Sequence, residues 1–130
     1  MPDIGPDDAI RVLLGRAPVT IATNATLREA AEALTEESIG VILVSGAHPG
    51  ALVSERDIVR ALADGADPDA EQVGNVMALD VLSVGPDDVI AEVTARMLDS
   101  EIRHAPVVED EHVIGVISTR DLLAVAAGRG

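Results

Sequence analysis

The sequence predicts an α/β (α+β) fold in which two copies of one β-α-β-β-α unit pack sheet to sheet with pseudo-two-fold symmetry. Three observations support this prediction: an internal repeat, short apolar strands alternating with amphipathic helices, and an aliphatic composition. The 130 residues are 48% hydrophobic and include no Phe, Tyr, Trp or Cys. A chain of this length buries enough surface to form an aliphatic core without disulfides.

The repeat is visible in two stretches of the chain. Residues 52–59 recur as 116–123 at an offset of 64, and residues 39–44 match 102–107 at an offset of 63. A single copy has an apolar face that it cannot bury alone, so the two copies are expected to pack together. The predicted units are residues 8–65 and 66–128, joined near an acidic, Gly- and Pro-containing linker.

Each copy shows the same order of elements: a helical turn, a strand, an amphipathic helix, two strands and a final helix. The Thr26-x-x-Glu29 spacing is that of a capping box and predicts the start of the first amphipathic helix. The expected bounds for the two copies are turns at 7–16 and 71–77, strands at 19–21 and 82–84, strand pairs at 41–44 with 51–53 and 105–108 with 113–117, and final helices from Ser54 to about Ala63 and from Ser118 to about Ala127.

Charge excludes several classes of function. The net charge is −14, and all nine basic residues are Arg, so a nucleic-acid partner is not expected. The absence of Lys and Cys excludes a Schiff base, a P-loop and a thiol nucleophile. The acidic N-terminal residues do not resemble a signal peptide, and the longest apolar run, Leu122–Ala127, is far too short to span a bilayer. We therefore expect a cytoplasmic protein without a membrane partner.

Two motifs, Ser54-x-x-Asp57 and Ser118-x-x-Asp121, each lie between a predicted strand and a helix. One interpretation is helix capping, in which the Ser side chain accepts from a backbone N–H and the Asp at the third helical position interacts favourably with the helix dipole. The other is ligand binding, because a helix N-terminus attracts phosphate and a carboxylate can accept from ribose hydroxyls. The two roles are compatible, and the sequence leaves both open.

A second group, Arg103-His104-Ala105-Pro106, combines with Arg120 to form the most cationic part of the chain. It is either a set of surface and strand residues or an anion site; the apolar Gly40-Val41-Ile42 at the equivalent place predicts weaker anion binding in the first copy. The three His show no metal-ligand spacing, so no metal site is expected. No catalytic motif is present either, so we expect a binding protein and not an enzyme.

These residues resemble a known family, the tandem CBS-domain pair or Bateman module, here as a stand-alone pair. The resemblance is carried by the strand Ile102–Val108 and by Gly115–Leu123, which is repeated at Ala51–Ile58, and it extends from about Ile10 to Ala127. It implies that adenosine-containing ligands bind in clefts between the two units. Ser54 and Ser118 would face phosphate, and Asp57 and Asp121 would hold the ribose.

The resemblance also implies the rest of the ligand-binding set, with no required cofactor and with Mg²⁺ as an optional companion of the nucleotide. The high negative charge favours AMP or ADP over ATP. Ala51 replaces a signature Gly, so the second copy is expected to bind phosphate more tightly. The complete predicted set is Thr20, Ile21, Val41, Ile42, Ser54, Arg56, Asp57, Ser83, Val84, Arg103, His104, Ala105, Pro106, Ser118, Arg120 and Asp121.

Such a pair is expected to act as a sensor that signals to a separate partner protein. A homodimer is expected from the aliphatic helix faces Ala30-Ala31-Leu34 and Val93-Met97. The alternative is a ligand-free interaction module whose motifs are helix caps only and which acts through dimerisation and protein docking.

Overall fold

A computed structural model describes residues 4–15, 17–46, 50–78 and 82–128. The α/β composition predicted from the sequence is confirmed, since these residues form two small sheets and four helices. The elements are β1 (Thr20–Ala22), α1 (Leu27–Glu37), β2 (Val41–Ser45), β3 (Leu52–Ser54), α2 (Glu55–Ala63), α3 (Ile90–Asp99), β4 (His104–Glu109), β5 (His112–Ser118) and α4 (Thr119–Ala126), with short 3₁₀ turns at Ile10–Leu13 and Val73–Asn75.

The chain forms two compact units, which we call the continuous unit (Val19–Asp80) and the split unit (Met1–Pro18 with Val81–Gly130). The continuous unit contains a three-stranded sheet in the order β1-β2-β3, in which β1 is parallel and β3 antiparallel to β2. Helices α1 and α2 cover this sheet, and fully buried side chains such as Leu27, Ile42 and Val53 form its core. Burial of each such side chain stabilises the fold by about 1.5–3 kcal/mol.

The split unit contains the antiparallel pair β4–β5, helices α3 and α4, and the N-terminal segment. Its core includes Ile10, Ile90, Met97 and Ile117, each no more than 2% exposed. Apolar side chains from the N-terminal segment and from the second repeat therefore share one core.

The strand predicted at 82–84 is reduced to a single bridge at Val84, which pairs in parallel with Val107 of β4. Val84 N–H donates to the Pro106 carbonyl at 3.0 Å, and its carbonyl accepts from Val108 N–H at 2.8 Å. The strand ends here because the Gly85 N–H donates to Asp88 Oδ2 at 2.7 Å and the next residue, Pro86, has no N–H to offer. The expected turns at 7–16 and 71–77 are also shorter than predicted; of these residues, Arg16 lies outside those the structure describes.

Each repeat's leading segment packs against the other repeat. The Ile10 N–H donates to the Asp88 carbonyl and the Ile90 N–H to the Asp8 carbonyl, both at 2.9 Å. In the continuous unit, the Val73 N–H makes the corresponding bond to the carbonyl of residue 25 at 2.8 Å. The predicted bounds 8–65 and 66–128 follow the sequence duplication and therefore differ from the compact units, which follow contacts.

The helix faces that motivated the expected homodimer are core faces. Ala30 and Leu34 of α1 are at most 4% exposed, and Val93 and Met97 of α3 are fully buried, all within the cores of their own units. Ala31 is half-buried. The periodicity that suggested a dimer surface is the periodicity with which each helix packs on its own sheet, so a dimer would need a different surface.

Candidate functional site

The Ser54–Asp57 motif lies where β3 ends and α2 begins. Asp57 N–H donates to Ser54 Oγ at 3.2 Å, and Ser54 N–H donates back to Asp57 Oδ2 at 2.9 Å. Both residues are half-buried. This reciprocal pair is a complete capping box, so the capping interpretation of the motif holds for the continuous unit.

The Ser118–Asp121 motif has the same geometry between β5 and α4. Ser118 N–H donates to Asp121 Oδ2 at 3.0 Å and Asp121 N–H donates to Ser118 Oγ at 3.2 Å. One contact is added here, because the Ser118 hydroxyl also donates to Asp121 Oδ2 at 3.0 Å. To donate to a ligand, this hydroxyl would have to leave Asp121, whereas the hydroxyl of Ser54 makes no such bond among the described residues.

The helix N-termini retain fewer open amides than the sequence suggested. Besides the amide that Ser54 caps, the Glu55 N–H donates to the Gly40 carbonyl at 3.0 Å, and in the split unit the Thr119 N–H donates to the Arg103 carbonyl at 2.9 Å. Of the first three backbone amides of each helix, only that of Arg56 in α2 and that of Arg120 in α4 make no hydrogen bond among the described residues. A single amide binds an anion weakly, so charge on side chains must supply most of any anion affinity.

Three arginines lie at these junctions and extend into solvent. Arg56 and Arg120 are the second residues of α2 and α4, and Arg103 directly precedes β4. Each is exposed, and none forms an ion pair with any residue that the structure describes. In the split unit Arg103 and Arg120 flank one helix start, but in the continuous unit Gly40 stands in place of Arg103. The two arginines predicted to make the second copy more cationic therefore lie beside the start of α4.

Five further residues of the predicted set are half-buried or exposed. His104 is the cross-strand partner of Ser118, and Val41 is that of Ser54; both are half-buried. Ile21 is half-buried and Thr20, one residue before it on β1, is exposed, as is Ser83. Thr20, Ile21 and Val41 belong to the continuous unit, and Ser83 and His104 to the split unit.

Four further side chains of the set are covered. Ile42 and Ala105 have no exposed surface, Val84 is 3% exposed and Pro106 is fully buried. Ile42, Ala105 and Val84 belong to the hydrophobic cores of their units. Ala105 and Pro106 are adjacent on β4 and face opposite sides of the sheet, so both faces of the strand are covered at this point. In this structure these four side chains present no surface to a ligand, and the sequence pattern did not distinguish them from their exposed neighbours.

Among the described residues, every helix is too short or too polar to span a bilayer. No three His, Asp or Glu side chains in that part of the chain are arranged to hold a metal ion. Of the histidines considered for a metal site, His112 is the exposed first residue of β5, and His48 lies outside the described residues.

Comparison with known proteins identifies the family. Residues 10–64 and 73–128 each match the family model of the CBS domain. The chain therefore belongs to the CBS-domain family and carries two such domains, which confirms the resemblance drawn from its motifs.

Individual relatives agree with this assignment. The CBS domain-containing protein YhcV of Bacillus subtilis is 30% identical over 106 residues, covering 79% of this chain and 74% of that protein. A putative signal-transduction protein with CBS domains from Burkholderia ambifaria has a TM-score of 0.79 at 31% identity, covering 86% of this chain and 84% of that one. Three other curated relatives are longer, and the chain spans 42%, 52% and 58% of their lengths.

A CBS-domain pair of similar fold has been solved with ligands bound. The CBS domain pair of protein MJ0100, in complex with 5′-methylthioadenosine and S-adenosyl-L-methionine, has a TM-score of 0.84 and covers 96% of this chain and 100% of that chain. Its identity to this chain is 23%, so the likeness is one of fold.

Proposed function

We propose that this protein is a regulatory module that binds an adenosine-containing ligand and signals its level to a separate partner protein, without catalysing a reaction. The observation that carries the proposal is the pairing of exposed Arg103 and Arg120 with the Ser118–Asp121 junction, a site with unpaired positive charge in a strongly acidic chain. The adenosine-binding CBS pair described above supports the class of ligand.

In the split unit, the proposed ligand would meet a carboxylate and two arginines. Asp121 uses Oδ2 in the capping box, while its Oδ1 makes no hydrogen bond among the described residues and is available to accept from ribose hydroxyls. Arg103 and Arg120 would attract the phosphate. The net charge of −14 opposes the accumulation of more highly charged nucleotides, so AMP or ADP is favoured over ATP unless Mg²⁺ accompanies it.

The continuous unit would bind a less charged ligand. Ser54, Asp57 and Arg56 repeat the motif, but Gly40 and Val41 stand where the split unit has Arg103 and His104. With one arginine fewer and an apolar strand start, this site would hold a phosphate more weakly, and a neutral adenosine derivative would suit it better.

The alternative is a ligand-free interaction module that acts through dimerisation. The complete capping boxes explain both Ser-x-x-Asp motifs without a ligand. Val59 of α2 and Leu123 of α4 occupy equivalent positions and are 65% and 67% exposed, which gives the dimer a surface that the buried faces of α1 and α3 do not provide. Light scattering of the parent and of Val59→Ser/Leu123→Ser tests it: a dimer that the substitutions dissociate supports this alternative.

Calorimetric unfolding of the protein alone and with AMP, ADP, ATP or S-adenosylmethionine tests the main proposal. A ligand at 100 times its dissociation constant adds about 2.7 kcal/mol to the free energy of unfolding. Arg103→Gln should reduce the shift caused by AMP while leaving the melting temperature of the free protein unchanged. Arg60→Gln, which removes an exposed arginine outside the predicted ligand-binding set, is the matched control. No shift with any of the four ligands at millimolar concentration would overturn the proposal.

A further inference from the structure

The segment that leads into the first long helix of each repeat is held differently in the two units. In the continuous unit, the Leu43 N–H of β2 donates to the Val19 carbonyl at 3.0 Å. At the offset of 63 residues, Pro106 stands in place of Leu43 and Leu82 in place of Val19. Proline has no N–H, so this ladder bond cannot form in the split unit. The chain before Val84 therefore lacks the backbone bond that holds its counterpart.

Arg96 of α3 contacts this part of the split unit twice. Its Nη2 donates to the Ser83 carbonyl at 3.3 Å, and its Nη1 lies 3.6 Å from Asp88 Oδ2. The same carboxylate oxygen accepts from the Gly85 N–H at 2.7 Å. One side chain of the helix thus holds both ends of the segment Ser83–Asp88, which we call the α3 lead-in.

The continuous unit cannot make these contacts. At the same offset, Ala33 stands in place of Arg96 and Ala25 in place of Asp88. An alanine side chain can neither donate a hydrogen bond nor pair with a charge. The unit that has lost the ladder bond is therefore the unit that has gained the arginine and its aspartate.

We propose that Arg96 is a positioning residue of the split unit's ligand site, where it fixes the backbone at Ser83. This inference rests on the adenosine-binding function proposed above, because Ser83 belongs to the predicted ligand-binding set. Ser83 is exposed, so its surface is open to a ligand. A segment that is already fixed loses less conformational freedom on binding, which raises the affinity. Arg96 acts through Ser83 and needs no contact with the ligand.

The chemistry of the side chain suits this role. A guanidinium group carries several N–H donors in a rigid plane, so Arg96 can hold a carbonyl and a carboxylate at the same time. A lysine at this position has one flexible ammonium group and would hold the lead-in less firmly. A methionine would keep an unbranched side chain but would donate to neither acceptor.

Isothermal titration calorimetry of the full-length protein tests the role of Arg96. The probe is whichever of AMP, ADP, ATP and S-adenosylmethionine causes the largest shift in the unfolding of the parent, and the split-unit site is the one that Arg103→Gln weakens. Arg96→Met should raise the Kd of this site by roughly fivefold, the factor that corresponds to one net hydrogen bond. Arg96→Lys should raise it less, because it keeps the charge and a donor.

Arg28→Met is the matched control. Arg28 is an exposed residue of α1, the helix equivalent to α3, and it is also bonded to an aspartate, Asp69. The two Met variants therefore change the net charge equally, and each loses one exposed ion pair. Arg28→Met should change the Kd of the split-unit site by less than about twofold.

A further variant tests the link with the missing ladder bond. Pro106→Val returns a backbone N–H to β4 opposite Leu82, so the ladder can hold the chain before Val84 as it does in the continuous unit. In this background, Arg96→Met should raise the Kd by a smaller factor than it does in the parent. The melting temperature of each free variant, measured by calorimetry, reports any loss of stability separately from the loss of affinity.

Two kinds of failure can be told apart. A parent that binds none of the four probes would overturn the proposed function, and this inference with it. A parent that binds a probe while Arg96→Met behaves like Arg28→Met would overturn the role of Arg96 alone and leave it a surface ion pair. Equal losses of affinity in Arg96→Met and Arg96→Lys, or in the parent and Pro106→Val backgrounds, would also overturn that role.

Discussion

Leu14 packs directly over Gly115 in the split unit. A β-carbon placed on Gly115 would lie 2.7 Å from Leu14 Cδ2 and 3.4 Å from Leu14 Cδ1. Two carbon atoms attract each other best at about 3.5–4.0 Å, so one of the groups would have to move. Any side chain at position 115 therefore requires the end of the Leu14 side chain to shift.

Gly115→Ala should lower the free energy of unfolding by about 1 kcal/mol, because the added methyl group overpacks this contact and Leu14 must move. In a Leu14→Ala background the same change should cost less, so a double-mutant cycle measured by urea unfolding should give a clear coupling. Gly15→Ala is the control, since a β-carbon there meets nothing within 4 Å. Equal costs of Gly115→Ala in both backgrounds would contradict the assigned contact.

The β4–β5 turn provides a second prediction. Asp110 and Glu111 join the closing pair Glu109 and His112, and both have positive φ, 51° and 66°. A two-residue hairpin turn of this kind favours Asn-Gly, because side chains at positive φ are strained. Glu111→Gly should raise the free energy of unfolding by about 1 kcal/mol. Glu111→Gln removes the same charge without relieving the backbone and should raise it less; an equal gain would mean that charge, not φ, is responsible.

Stability at low pH should depend on Asp69. The hydrogen bond from Arg28 holds the pKa of the Asp69 carboxyl below its usual value. Because the pKa of Asp69 is lower in the folded state, its carboxylate stabilises the fold fully at a pH above its unfolded pKa of about 3.9. This stabilisation is lost as the pH falls through the pKa of the folded state. Asp69→Asn should therefore destabilise the protein at pH 7, and the difference from the parent should vanish in strong acid.

Urea unfolding of both proteins across this pH range measures that difference. Asp99→Asn, which removes an exposed carboxylate of α3, is the control. A difference between parent and Asp69→Asn that does not change with pH would contradict the assignment.

The capping boxes give a fourth prediction. Ser118→Ala removes the oxygen that accepts from the Asp121 N–H and should lower the free energy of unfolding by about 1 kcal/mol. Ser54→Ala should do the same in the continuous unit. Ser100→Ala, at the exposed end of α3, should change stability by no more than about 0.5 kcal/mol. If Ser118→Ala is as mild as Ser100→Ala in thermal unfolding, the bond seen between Ser118 and Asp121 does not contribute to stability.

The sequence predicted best what is local. The starts of α1, α2 and α4 follow from capping residues at fixed spacings, so Thr26, Ser54 and Ser118 were sufficient to locate them. The exposure of single strand residues could not be predicted in the same way. Val41 and Ile42 are both apolar, and only the sheet and the helices that cover it decide that Ile42 is buried.

The partners of the leading segments also could not be predicted. The offset of 63 residues shows that Ile10 and Val73 are equivalent, but equivalence does not say which repeat each one packs against. The apolar faces of α1 and α3 likewise fit an oligomer surface or an internal core, and the contacts of Leu34 and Met97 show the second.

The contact between Ile10 and Asp88 also bears on the order in which the protein is made. The continuous unit is formed by a single stretch of chain, so all of it has been made once residue 80 has left the ribosome. The split unit needs its second stretch of chain as well, and until that stretch is made the N-terminal segment lacks the partners of Ile10. We expect synthesis to produce an intermediate with an exposed Ile10, formed from contacts between residues close in sequence before those far apart.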